Sequence, residues 1–195
     1  MSFLFVTPQV TLARNAGALY NYGLGNELMA SLASSNDING LLNSIYTSSV
    51  GSAATSTVAS TLVANLGITG PGVAAAQAYV VAQLNPVAVS GRGKAINDIL
   101  MAFSSLTDDA TYGAAAKAWN AKVANAVAYA AMAGSKDTTF AEAVPPTSEA
   151  PSFKLTASSA EVNEGGTAVF TLSTKGVPAG SVFNYVLNGA TGADV

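Results

Sequence analysis

The sequence predicts α + β structure in separate domains: an all-α N-terminal helical domain followed by the first strands of an Ig-like β-sandwich. Three observations predict it. Residues 1–135 are Ala-rich, with apolar positions recurring at helical spacing. Residues 136–151 are largely polar and carry Pro145, Pro146 and Pro151, the composition of a stiff linker. Residues 152–195 alternate apolar and polar side chains between glycine-bearing turns. The expected organisation is a helical anchoring domain at 1–135, a Pro-containing linker at 136–151 and a partial sandwich at 152–195.

The helices follow from their punctuation. Thr7-Pro8 offers a cap with proline in the first turn; Val10, Leu12, Ala13, Ala16, Leu19 and Tyr20 then recur helically until Gly23 and Gly25. A short segment at 26–32 follows. Ser35 or Asn36 is the expected cap of a helix carrying Ile38, Leu41, Leu42, Ile45 and Tyr46, an amphipathic set. Residues 52–66 have weak propensity but place Val58, Leu62, Val63 and Leu66 on one side, with Gly67 as a stop. Pro71 opens the next helix, ended by Asn85-Pro86, and Ser90 starts one bearing Ile96, Ile99, Leu100 and Phe103. The longest helix is expected from Thr107 or Asp108 to about Met132, with Tyr112, Ala116, Trp119, Val123, Val127 and Ala130 in one stripe. So much alanine permits close helix approach while burying little area per residue.

After the linker, Phe153, Leu155 and Ala157 alternate with Lys154, Thr156 and Ser158. Two further alternating runs lie at 168–173 and 182–187, with Gly165-Gly166 and Gly180 where turns are needed. A sandwich needs about seven strands. The expectation is therefore that the remaining strands lie beyond Val195 and that this chain is the front of something longer.

Composition excludes several function classes. Without Cys or His there is no thiol nucleophile, imidazole base or zinc site built on those ligands; a metal would be a hard cation held by oxygen. Charged residues make up 10% and the net charge is −3, against roughly 25% charged in ordinary domains. The eight basic residues are scattered, which argues against nucleic acid and anionic membrane partners. A surface so poor in charge has little to keep copies apart, as suits crowded, self-associating extracellular proteins. The N-terminus has no basic start and its apolar run breaks at Pro8, so no ordinary signal peptide is expected. No uninterrupted apolar run reaches the ~20 residues of a transmembrane helix.

Candidate chemistry is sparse. Trp119 and the tyrosines 20, 22, 46, 79, 112 and 129 have faces suited to stacking on sugar rings; Trp119, Tyr112 and Tyr79 also lie on apolar stripes and read as core anchors. Asp108-Asp109 reads as a helix cap or as calcium ligands, and Lys94 with Asp98 as a surface pair. Gly91-Arg92-Gly93-Lys94 lacks the spacing of a phosphate loop. The 11 acids give no paired-carboxylate constellation, so the chain is not expected to be an enzyme.

Two resemblances sharpen the reading. Val162-Asn163-Glu164-Gly165, Phe170-x-Leu172, Val177-Pro178-x-Gly180, Tyr185-x-Leu187 and Gly192-Ala193-Asp194 together resemble the opening half of the Calx-β and cadherin-like modules of large bacterial surface proteins. That likeness implies calcium, with Glu164 and Asp194 as ligands and Glu161 nearby; from the residues alone, Glu164 is a solvated turn residue and Asp194 a loop residue. Gly67-Ile68-Thr69-Gly70, the run 74–80 and the run 118–129 resemble the N-terminal region of S-layer and adhesin proteins exported by type I secretion in Gram-negative bacteria. This implies a structural, extracellular protein on the bacterial cell surface. Its helical part would sit against lipopolysaccharide or another surface polysaccharide, and self-assembly into a lattice would be ordered by calcium. A large secreted adhesin whose helical head binds a foreign surface is the alternative, and a cytosolic helical scaffold the third.

Overall fold

The computed structural model of the chain describes residues 7–145, 152–158 and 165–175. They belong to two units, Met1–Pro145 and Pro146–Val195; the described residues of the first are mainly helical and those of the second form a pair of strands.

Helix α1 (Pro8–Tyr20) begins as its sequence predicts: Thr7 is extended and its hydroxyl accepts from the Val10 N–H at 3.3 Å. It stops at Asn21, ahead of the expected glycines. Asn21 adopts a left-handed conformation (φ 50°) and its N–H closes onto the Ala16 and Gly17 carbonyls, a role asparagine fills at tolerable cost. A short strand β1 (Tyr22–Gly23) and α2 (Asn26–Ala33) follow. Helix α3 (Ile38–Ser49) is capped by Asp37, neither Ser35 nor Asn36: the Gly40 N–H donates to Asp37 Oδ1 at 2.8 Å. Helix α4 spans Thr55–Asn65 and α5 spans Gly72–Leu84. A 3-10 turn at Val89–Gly91 leads into α6 (Arg92–Ser105).

Helix α7 (Gly113–Ala130) is shorter than the sequence predicts. Asp109 caps a separate turn before it, its Oδ1 accepting from the Thr111 and Tyr112 N–H groups at 2.8 Å. The chain thus enters α7 through that turn, and the helix starts only at Gly113.

Helix α1 is the centre of the unit, touching α2, α3, α4, α6 and α7. The largest fully buried side chains are Trp119, Tyr46, Leu62, Leu84, Ile96, Leu100 and Val123. Small residues set the spacing. At Gly93, a Cβ would collide with the Leu42 carbonyl, so α6 rests directly on the backbone of α3. Tyr112 is half-buried and donates to the Gly72 carbonyl at 3.1 Å. Tyr79 differs from the expected core anchor: it is 50% exposed, because Val80 and Leu84 occupy the inward side of α5.

Part of the segment whose composition reads as linker belongs to the helical unit. Strand β2 (Thr138–Thr139) pairs antiparallel with β1, Tyr22 opposite Thr139 and Gly23 opposite Thr138. Phe140 and Ala143 are buried at 4% and 0% exposure. The Phe140 ring lies 5.1 Å from that of Trp119, tilted by 36°, and fills the space left by Gly17, where a Cβ would come within 2.5 Å of it. Two apolar anchors in a polar run do not move a composition average, yet they dock the run.

No single described helix is long and apolar enough to cross a membrane. In the second unit, β3 (Ser152–Ala157) and β4 (Phe170–Lys175) pair antiparallel, with Leu155 opposite Leu172 and Ala157 opposite Phe170. The register matches the expected alternation, and Leu155, Phe170 and Leu172 are exposed. The described part of this unit is one two-stranded sheet, so the described residues are mostly helical, with short strands in two small sheets. The run at 182–187 lies outside the described residues.

Candidate functional site

An open groove of about 350 Å³ lies where the starts of α1 and α3 meet α6. Its walls are Thr7, Pro8 and Thr11 from α1 and its cap, Ile38 and Asn39 from α3, and Lys94, Asn97, Asp98 and Met101 from α6. The capping residues fix two walls by starting their helices there. Gly93 fixes the third, because the contact of α6 on Leu42 brings the next residues against α3; the Lys94 N–H donates to Asn43 Oδ1 at 2.8 Å. Lys94 Nζ and Asp98 Oδ2 pair at 2.6 Å with about half of each side chain in solvent. An exposed i,i+4 pair of this kind adds little stability but leaves the groove neutral while presenting donors and acceptors.

Behind the groove sits a buried polar layer. Asn15 Nδ2 donates to the Thr11 carbonyl at 2.9 Å and to Asn97 Oδ1 at 3.1 Å. Asn97 Nδ2 points to Met101 Sδ at 3.7 Å. Asn15, Asn97 and Thr11 are 3%, 6% and 5% exposed. Arg14, the next residue along α1, is 2% exposed, and its Nε and Nη1 have no hydrogen-bond partner among the described residues. Burial pushes its pKa below the ordinary arginine value. On the other side of Asn15 lies a smaller apolar cavity of about 150 Å³, lined by residues that include Leu12, Leu19, Leu32, Leu42 and Ile45. Tyr20 borders it and shares a hydrogen bond with Ser49 Oγ at 2.7 Å.

The sequence named Lys94 and Asp98 as a pair, and the structure makes it. Asn39, Asn97 and Arg14 went unnoticed. Asn97 carried a signal, a carboxamide beside Ile96 on the buried face of α6; Asn39 carried none. The aromatic residues raised for sugar stacking do not line the groove: Trp119 and Tyr46 are core, and Tyr129 donates to the Lys136 carbonyl at 2.9 Å. Asp108 lies 3.8 Å from Lys117 Nζ, fully out in solvent. The expected calcium ligands Glu164 and Asp194, with Glu161, lie outside the described residues. Among the described residues no three acidic side chains come together as a metal site.

The geometry therefore offers an open groove whose one lysine and one aspartate neutralise each other, with no assembled catalytic group among the described residues. No protein family, curated protein or solved structure matches this chain.

Proposed function

We propose that this chain is the N-terminal part of an S-layer-like structural protein of the bacterial cell surface, whose helical unit attaches to surface polysaccharide such as lipopolysaccharide and which self-assembles. The observation that carries this reading is the groove between α1, α3 and α6. Its exposed Asn39, Lys94 and Asp98 present uncharged or mutually neutralised donors and acceptors on an open surface, which suits hydroxyl-rich sugars better than an anion. Single sites of this kind bind weakly; many copies on one polysaccharide bind firmly. The protein is read as non-catalytic, because its function needs only adhesion. The strand unit is read as the opening of an Ig-like, Calx-β or cadherin-like sandwich. Calcium, with Glu164 and Asp194 as ligands, enters through the family resemblance alone, as do type I secretion and the extracellular location.

The test is binding of the chain to purified lipopolysaccharide of a bacterium that carries it, followed by calorimetry. Asn39→Ala and the double change Lys94→Ala/Asp98→Ala are expected to weaken binding about tenfold, the loss of one or two hydrogen bonds. Equal binding by parent and variants would remove the groove from the mechanism. Binding only to glycans of another cell type would favour the adhesin, and binding to neither would end the polysaccharide reading.

A further inference from the structure

No charged side chain occurs between Asp37 and Arg92, a stretch that holds the whole of α3, α4 and α5. Within it α5 is the anomaly. Apart from Gln77 and Gln83 it is built of Gly, Val, Ala, Tyr and Leu, and a helix apolar on all sides belongs in an interior. Yet only Gly72, Val80 and Leu84 are buried. The positions 73, 76, 80 and 84 face the core. Ala75, Ala78, Tyr79 and Ala82, spaced i, i+3, i+4 and i+7, form the opposite face and are exposed.

We propose that this outward face of α5 is where two copies of the chain meet. The inference rests on the self-assembling reading above and names its contact surface. Charge decides the partner. A charged protein would have to bury its ions against a face that offers none in return, which is costly. A second copy presents the same uncharged face, as a two-fold contact requires. The neighbouring helix α4 continues this character, its exposed residues being Ser, Thr and Ala. Interface centres are depleted in charge and enriched in tyrosine, and Tyr79 stands out of a floor of alanines low enough for two helices to approach. A lipid surface is a poorer fit, since helices that lie on membranes carry Lys and Arg along their polar side and α5 has neither.

Sedimentation velocity of the whole chain over rising concentration tests this. Self-association is expected, and Tyr79→Lys or Ala78→Glu should each raise the dissociation constant about tenfold or more. Because both positions are exposed, melting temperatures should stay close to the parent's. Mixing the two variants should restore association by pairing opposite charges across the contact. Ala121→Glu, on the exposed side of α7, should change nothing. A chain that stays monomeric, or associates regardless of charge on α5, overturns the inference. So does Tyr79-dependent binding of the monomer to phosphatidylcholine vesicles. The groove variants should associate normally; association that ignores charge on α5 sinks this inference alone, a chain that stays monomeric sinks the self-assembling reading with it, and intact association without polysaccharide binding sinks only the polysaccharide reading.

Discussion

Asn15 Nδ2 donates to Asn97 Oδ1 at 3.1 Å inside the helical unit, joining side chains 82 positions apart. The Thr11 carbonyl takes the other Asn15 proton, and since a carbonyl only accepts, the orientation of the Asn15 carboxamide is set. Its Oδ1 is left buried without a partner among the described residues. One hydrogen bond therefore forms the partition between the polar groove and the apolar cavity.

Removing one end of that bond should be worse than removing both. Asn97→Leu strands the Asn15 amide and is expected to cost about 1–3 kcal/mol, whereas two apolar replacements of similar shape can be nearly neutral. Urea unfolding of Asn97→Leu and of Asn15→Leu/Asn97→Leu measures the difference. Losses that simply add would mean the two amides are not coupled.

Arg14 is expected to weaken the fold it sits in. A buried guanidinium whose Nε and Nη1 are unsatisfied, with no carboxylate paired to it among the described residues, carries its desolvation cost uncompensated. Arg14→Met keeps the stem and removes the charge, so it should raise stability by about 1 kcal/mol or more, a melting shift of about 2–4 °C per kcal/mol for a chain of this size. A drop in melting temperature would show that the charge is satisfied.

Phe140 should be as important as a central core residue despite its polar neighbours. Phe140→Ala opens a hole against Trp119 and Gly17, and large-to-small changes of this kind cost about 3–5 kcal/mol. A chain ended after residue 135 should lose at least as much, while one ended after residue 145 should melt like the parent. Equal melting of the two truncations would return the segment to the status of a linker.

Glu142 supplies an acid-sensitive contact. The Thr138 and Thr139 hydroxyls donate to its Oε2 at 2.8 and 2.9 Å, and these bonds, with the backbone of Thr139, hold its pKa below the ordinary glutamate value. A lowered carboxylate pKa contributes stability above the unfolded-state pKa that is lost as pH falls through the folded one. The protection of the Thr139 and Phe140 amides, measured against the intrinsic exchange rate at each pH, should therefore fall as the pH drops through the lowered folded-state pKa of Glu142. Glu142→Gln should show no such step there.

The helices were legible where a local rule decides them. Thr7-Pro8 and Pro71 mark starts that the chain uses, and Leu62, Ile96, Leu100 and Trp119 are buried as their spacing predicts. What stayed hidden depends on long-range partners. Asp37 displaces its neighbours as the cap, Phe140 reaches back to α1 and α7, and Tyr79 turns outward because α5 is apolar on every side and its pattern does not say which face is inner. The groove was harder still. Lys94 and Asp98 form an obvious pair, but nothing local to Asn39 or Asn97 says that α1, α3 and α6 will bring them together.

The docking of residues 138–143 also decides where a mechanical load enters the helical unit. Tension on the chain beyond Pro145 reaches β2 and the Phe140 anchor before it reaches the end of α7. Peeling β2 from β1 and drawing the ring out from beside Trp119 come first, so the helices are shielded until that clasp yields. The strength of that clasp is set by two apolar side chains, Phe140 and Ala143, and four residues of strand.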